Sequence, residues 1–119
     1  MREEVKNWLI RAERDLKASR DSFNAGNYEW ACFQAQQASE KSLKALYINK
    51  YKSLLKIHDL VLLAKKLNAP EDIIVSCSKI NPSYINARYP DLSEHYSEDD
   101  ANNIINLAEK ILEWTKKNL

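Results

Sequence analysis

Between Asn27 and Asn49 the chain reads NYEWACFQAQQASEKSLKALYIN. On a helix turning about 100° per residue this segment carries two distinct faces. Ala31, Ala35, Ala38, Ser42 and Ala45 recur at alternating steps of four and three, forming one ridge of small side chains. Beside it lies a broad arc of Tyr28, Leu46, Cys32, Leu43, Tyr47 and Phe33. A small-residue ridge lets a neighbouring helix come to the short end of the usual interaxial range of about 8–10 Å. Apolar character over more than half the circumference demands neighbours on several sides. The segment is therefore predicted to be the central helix of a bundle. What remains is a narrow polar strip of Gln34, Gln37, Glu40, Lys41 and Lys44.

The flanking sequence supplies partners for that helix. Residues 2–25 read as a first helix, because Val5, Trp8, Leu9, Ala12, Leu16, Ser19 and Phe23 share one stripe. Gly26 is the natural residue just past its end, and Asn27 the N-cap of the next helix, so the two run antiparallel. The segment KYKSLLKI is a connection. A third helix is predicted over 58–68, burying Leu60, Leu63, Ala64 and Leu67. Pro70 followed by Glu71 and Asp72 reads as the first turn of a fourth, with proline at N1, running to about Ile80. Asn81-Pro82 repeats the signal for a short turn or helix over 82–88, and Pro90 ends it. Residues 89–97 are then loop. Ser97-Glu98-Asp99-Asp100 opens a last helix with a capping-box-like pattern, and Ala101, Ile104, Ile105, Ala108, Ile111 and Leu112 form its core face. The fold class is all-α: an up-and-down bundle of four to five helices, with residues 1–119 as one domain.

Several functional classes find no support. One glycine in 119 residues leaves nothing to build a Gly-rich phosphate loop. No apolar run approaches the 18 or so residues of a membrane span, and MREEVKNW is not a signal peptide, so no membrane is expected and a cytoplasmic location is. Cys32 and Cys77 lack metal spacing and read as buried thiols in a reducing compartment. His58 and His95 are isolated from each other and from the cysteines, so no metal site and no cofactor is implied. Net charge is only +1, but residues 1–66 hold 13 basic against 8 acidic residues, and 67–119 hold 5 against 9. Lysines 41, 44, 50, 52 and 56 fall in a run without an acid. Such a sector suits phosphate or an acidic partner, or is simply a solvated helix end.

The runs QAQQASEKSLKALY, HDLVLLAKKL at 58–67 and ARYPDL at 87–92 occur in an order that resembles the small prokaryotic HEPN domain. That resemblance implies a helical bundle pairing into a homodimer. It also implies a partner, a small nucleotidyltransferase of the MNT type, in a toxin–antitoxin-like pair of genes. Arg88 and His95, with six residues between them, match the Arg-x4–6-His pattern of ribonuclease members of that family. A guanidinium there would grip a phosphodiester, and an imidazole would move the proton of the ribose 2′-hydroxyl, without a metal. Tyr89 and Pro90 depart from the catalytic pattern, which has a polar residue directly after the arginine.

Glu40 sits at the edge of the apolar arc and should be half-buried, so its carboxylate needs a partner. The resemblance suggests Arg88, and the helix itself offers Lys44 one turn along. Tyr84 and Tyr89 either stack on a nucleobase or pack within the bundle or dimer. Two functions follow. One is a dimeric module that binds a nucleotide, RNA or a nucleotidyltransferase through Gln37, Glu40, Lys41, Lys44, Tyr84 and Tyr89. The other is a metal-independent endoribonuclease that uses Arg88 and His95 as catalytic residues.

Overall fold

A computed structural model describes residues 2–86 and 95–119 of the chain. Its first two helices, α1 (Glu3–Asn24) and α2 (Tyr28–Tyr51), form a hairpin closed by a three-residue turn. Gly26 sits at φ +80, a left-handed conformation that a side chain would strain. Asn27 occupies the N-cap position as expected, yet its side chain makes no capping hydrogen bond. After the hairpin come α3 (Leu60–Lys66), α4 (Glu71–Ile80), the single-turn α5 (Ser83–Asn86) and α6 (Glu98–Lys117). Among the described residues there is no strand, in keeping with the all-α expectation.

The small-residue ridge explains why α2 is central. Ala31, Ala35, Ala38, Ser42 and Ala45 are all 1% exposed or less. α1 lies along α2 and buries Val5, Ala12, Leu16 and Ser19. The approach is close enough for the Ser19 hydroxyl to donate to the Ala31 carbonyl at 2.6 Å, and for Ser22 Oγ to donate to Gln34 Oε1 at 2.6 Å. On its other sides α2 touches α3, α4, α5 and α6. α6 turns the whole expected face inward, from Ala101 to Leu112. Each large aliphatic buried there stabilises the bundle by about 1.5–3 kcal/mol.

Helix ends follow local chemistry, with three departures from the sequence reading. α2 runs on to Tyr51 and stops where Lys52 turns left-handed, at φ 59. α3 starts at Leu60 rather than 58, because the Asp59 side chain accepts from the Val61 and Leu62 N–H groups and so caps the helix. Pro70 is the N-cap of α4 and not its N1 residue; its ψ of 160 is extended, and its carbonyl accepts from Ile73 and Ile74. The last helix does open on a capping box: Ser97 Oγ accepts from Asp100 N at 3.0 Å, and Asp100 Oδ2 accepts from Ser97 N at 3.0 Å. The expected short element at 82–88 is seen as Ser83–Asn86, and its last two residues lie outside the described ones.

Cys32 and Cys77 are free and fully buried. Burial pushes both thiols up to about 12, so neither supplies a thiolate near neutral pH. No helix of the described chain is long and apolar enough to cross a membrane.

The close packing along the ridge generates a direct test. Ala35→Leu and Ala38→Leu each insert bulk where no space exists, and each should lower stability by roughly 1–3 kcal/mol. The measurement is the thermal or urea midpoint; an unchanged midpoint in both variants would refute the close approach.

Candidate functional site

The polar strip of α2 does not simply face water. Gln36, Glu40 and Lys44 stand one turn apart on one side of the helix and are all 5% exposed or less. Lys44 Nζ donates to Glu40 Oε2 at 2.9 Å, and Gln36 Nε2 donates to Glu40 Oε1 at 3.2 Å. The third partner comes from outside α2. His58 Nδ1 lies 3.1 Å from both carboxylate oxygens. An ionised carboxylate only accepts, so Nδ1 carries the proton in this contact and Nε2 is left as the other functional nitrogen. Nε2 has no protein partner among the described residues, and the side chain is 57% exposed. The arrangement is a buried carboxylate that orients a solvent-facing imidazole.

His58 is held there by the start of α3. Asp59 caps that helix, and its carboxylate also accepts from Asn81 Nδ2 at 2.9 Å. Asn81 Oδ1 in turn accepts from Leu60 N at 2.8 Å, clamping α3 to the α4–α5 junction. The Asn81 amide, followed by the two capping N–H groups, holds the Asp59 carboxyl below its usual 3.8. This clamp brings the His58 ring onto Tyr84 of α5, stacked at 4.9 Å and 16°. Tyr84 continues to Phe33 at 6.2 Å, and Phe33 stacks on Trp30 at 5.0 Å. A row of rings thus runs along one side of α2, with His58 and Trp30 exposed at its two ends. A cleft of about 260 Å³ opens at the His58 end, bounded by Asp59, Asn81, Tyr84 and Ile85.

The sequence-predicted residues divide accordingly. Glu40 is buried, more deeply than the half-burial expected from the helical wheel, because α3 and α5 cover that edge of α2. Lys44 is its ion-pair partner and also lies 5.9 Å from the Trp8 ring centroid. Gln37 donates to Gln36 Oε1 at 2.6 Å, extending the network toward the surface. Lys41 pairs with Asp15 of α1, whose other oxygen lies 3.9 Å from Arg11. The lysine-rich sector is thereby split, with Lys41 and Lys44 neutralised inside the protein and 50, 52 and 56 exposed. His95 is fully exposed, its Nδ1 3.6 Å from Glu29 Oε1 at the start of α2. Arg88 and Tyr89, and with them the expected Arg88–Glu40 pair, lie outside the described residues.

Sequence reasoning set His58 aside as an isolated histidine. The available signal was its place immediately before a helix-capping aspartate, in a chain whose buried Glu40 needed a donor. Among the described residues no three His, Cys, Asp or Glu side chains cluster as a metal site would require.

Residues 5–119 match the HEPN domain. The chain belongs to the HEPN domain family. Solved structures agree: a protein from Thermus thermophilus superposes with a TM-score of 0.92 at 30% identity, over 99% of this chain and 100% of that one. An archaeal HEPN homologue gives 0.82 at 35% identity, over 95% of each chain. An HEPN domain protein from Thermotoga maritima gives 0.78 at 23% identity, over 93% of this chain and 95% of that one, a likeness of fold. No curated protein matches the chain. In this HEPN domain the QQASEK and HDL runs meet in space as the Glu40–His58 contact.

Two outcomes are expected. Glu40→Ala strands the buried Lys44 ammonium and should cost about 3–5 kcal/mol, whereas Glu40→Ala with Lys44→Met, an apolar replacement of the pair, should recover much of it. Urea unfolding of the two variants checks this, and equal losses would mean the pair is not what matters. Asp59→Ala removes a cap and should cost about 1 kcal/mol at neutral pH. Because the folded-state carboxyl is held down, that stabilisation is fully present above 3.8 and is lost as pH falls through the lower folded value. The gap between wild type and Asp59→Ala should therefore close in acid, and a gap that persists would refute the cap's role.

Proposed function

We propose that this HEPN protein is a homodimeric module that binds single-stranded RNA or a nucleotide, working beside a small MNT-type nucleotidyltransferase in a toxin–antitoxin-like two-gene system. The observation that carries the binding reading is the His58–Tyr84 stack. Two flat rings are fixed in register, one by the buried Glu40 carboxylate and one by α5, beside an open cleft. Stacking on such a platform suits any base, and the exposed lysines at 50, 52 and 56 add charge at the end of α2. Gln37 and Lys41 lie on the same helix, within one turn of the platform's carboxylate, and reach a strand that follows α2 only by giving up their Gln36 and Asp15 partners. In this reading Glu40 and Lys44 position His58 and do not touch the ligand. The partner and the paired gene rest on the family resemblance.

The second reading is a metal-independent endoribonuclease that uses Arg88 and His95. It is favoured by the full exposure of the His95 imidazole, which lets a bound strand meet that ring beside Glu29.

Fluorescence anisotropy with labelled single-stranded RNA tests the proposal. Wild type should bind as a species of twice the 13.8 kDa chain mass by light scattering. Tyr84→Ala should lose about 1–3 kcal/mol of binding, and Tyr84→Phe should keep most of it. Binding that ignores both variants would remove Tyr84 from the site. Cleavage of the RNA in metal-free buffer, abolished by His95→Ala, would shift the assignment to the nuclease.

A further inference from the structure

A second cavity, larger than the cleft at His58, lies between the C-terminal end of α4 and the N-terminal half of α6. It measures about 570 Å³, within the size range of small-molecule sites. Ile104 and Leu107 give it an apolar lining. Tyr96 and His95 flank one end. Tyr96 is fixed there, because its hydroxyl accepts from Asn86 Nδ2 at 3.1 Å and sits 3.4 Å from Ser83 Oγ. Lys79, Asn103 and Asn106 supply the polar groups, and none of the three has a protein hydrogen bond or ion pair among the described residues. Asp100 also lines the cavity, but its carboxylate is engaged in the α6 capping box.

Asparagine is a poor residue for an exposed helix interior, where lysine or glutamate serves better. Asn102, Asn103 and Asn106 are all exposed on this stretch of α6, and of the three Asn103 and Asn106, one turn apart, line the cavity. An amide offers a donor and an acceptor side by side, which matches the adenine edge, where N6–H donates and N7 accepts. Guanine presents two acceptors on that edge, and pyrimidines have no N7. One cation, Lys79, suits one phosphate, whereas an acidic peptide would call for several. The cavity also lies within reach of the ring row, since His95 meets Glu29 one residue before Trp30. From there to Glu40 is about 16 Å along α2, at about 1.5 Å per residue.

We propose that this cavity is a base-reading subsite that takes an adenine nucleotide, with Asn103 and Asn106 selecting the base and Lys79 holding its phosphate. It rests on the RNA- or nucleotide-binding reading above, and the same chemistry belongs to a free nucleotide or to one residue of a strand.

The test is anisotropy with labelled oligo(A), oligo(U) and oligo(C), with AMP as competitor. Wild type should prefer oligo(A) by about fivefold or more. Asn103→Ala and Asn106→Ala, which replace exposed residues by a better helix former, should keep or raise the thermal midpoint and flatten that preference. Lys79→Ala should weaken all three oligomers together and lower the salt dependence by about one ion. Displacement of oligo(A) by AMP supports the subsite with a free nucleotide as its ligand; selective oligo(A) binding that AMP does not displace supports it with a strand residue. Equal affinity for the three oligomers, or a preference that survives both asparagine variants, overturns the subsite while leaving RNA binding at Tyr84 intact. No binding of any oligomer or of AMP overturns both.

Discussion

Everything in this domain depends on how closely α1 lies on α2. The ridge from Ala31 to Ala45 offers only methyl groups and a hydroxyl, so backbone can approach backbone until Ser19 hydrogen-bonds a main-chain carbonyl of the neighbouring helix. With α1 so close, the broad apolar arc of α2 is left for the other helices to cover. α6 takes one side, while α3, α4 and α5 share the rest. Larger residues on the ridge would push α1 outward and open the core along its length.

The same geometry produces the site. α3 and α5 are too short to stand alone, and both are fastened through the polar chemistry of their ends: Asp59 and Asn81 for one, Ser83 and Asn86 with Tyr96 for the other. Their docking buries the edge of α2 that holds Glu40. Burial of a carboxylate is costly unless it is paired and hydrogen-bonded, and here Lys44, Gln36 and His58 all meet it. The result is a rigid support beneath an exposed imidazole. A surface histidine becomes an oriented one only because a buried acid stands behind it.

The likeness to solved HEPN proteins places the chain in a family and defines its scaffold. Within that scaffold, charge is distributed less simply than the linear sequence suggests. The lysine run of 41–56 reads as one basic patch, but Asp15 and Glu40 neutralise its first two members. The exposed charge of that run lies instead at Lys50, Lys52 and Lys56, at the end of α2 and beyond it.

What the sequence by itself determined is the part governed by periodicity and local chemistry. The order of the helices, the central role of 27–49, the ridge, the α6 core face and the Ser97 capping box all follow from residues within a turn or two of one another. The QQASEK and HDL motifs of the HEPN family were legible too, because the first lies on a strongly periodic helix and the second at a helix start. Tertiary structure decided the rest. That His58 reaches Glu40 across 18 positions, that Tyr84 stacks on His58, and that Lys41 turns to Asp15 depend on how separate helices dock. Docking is set by the summed packing of many side chains, which no single stretch encodes. Even the burial of Glu40 belongs to this class: the helical wheel places it at a border, and only the arrival of α3 and α5 decides on which side of that border it falls.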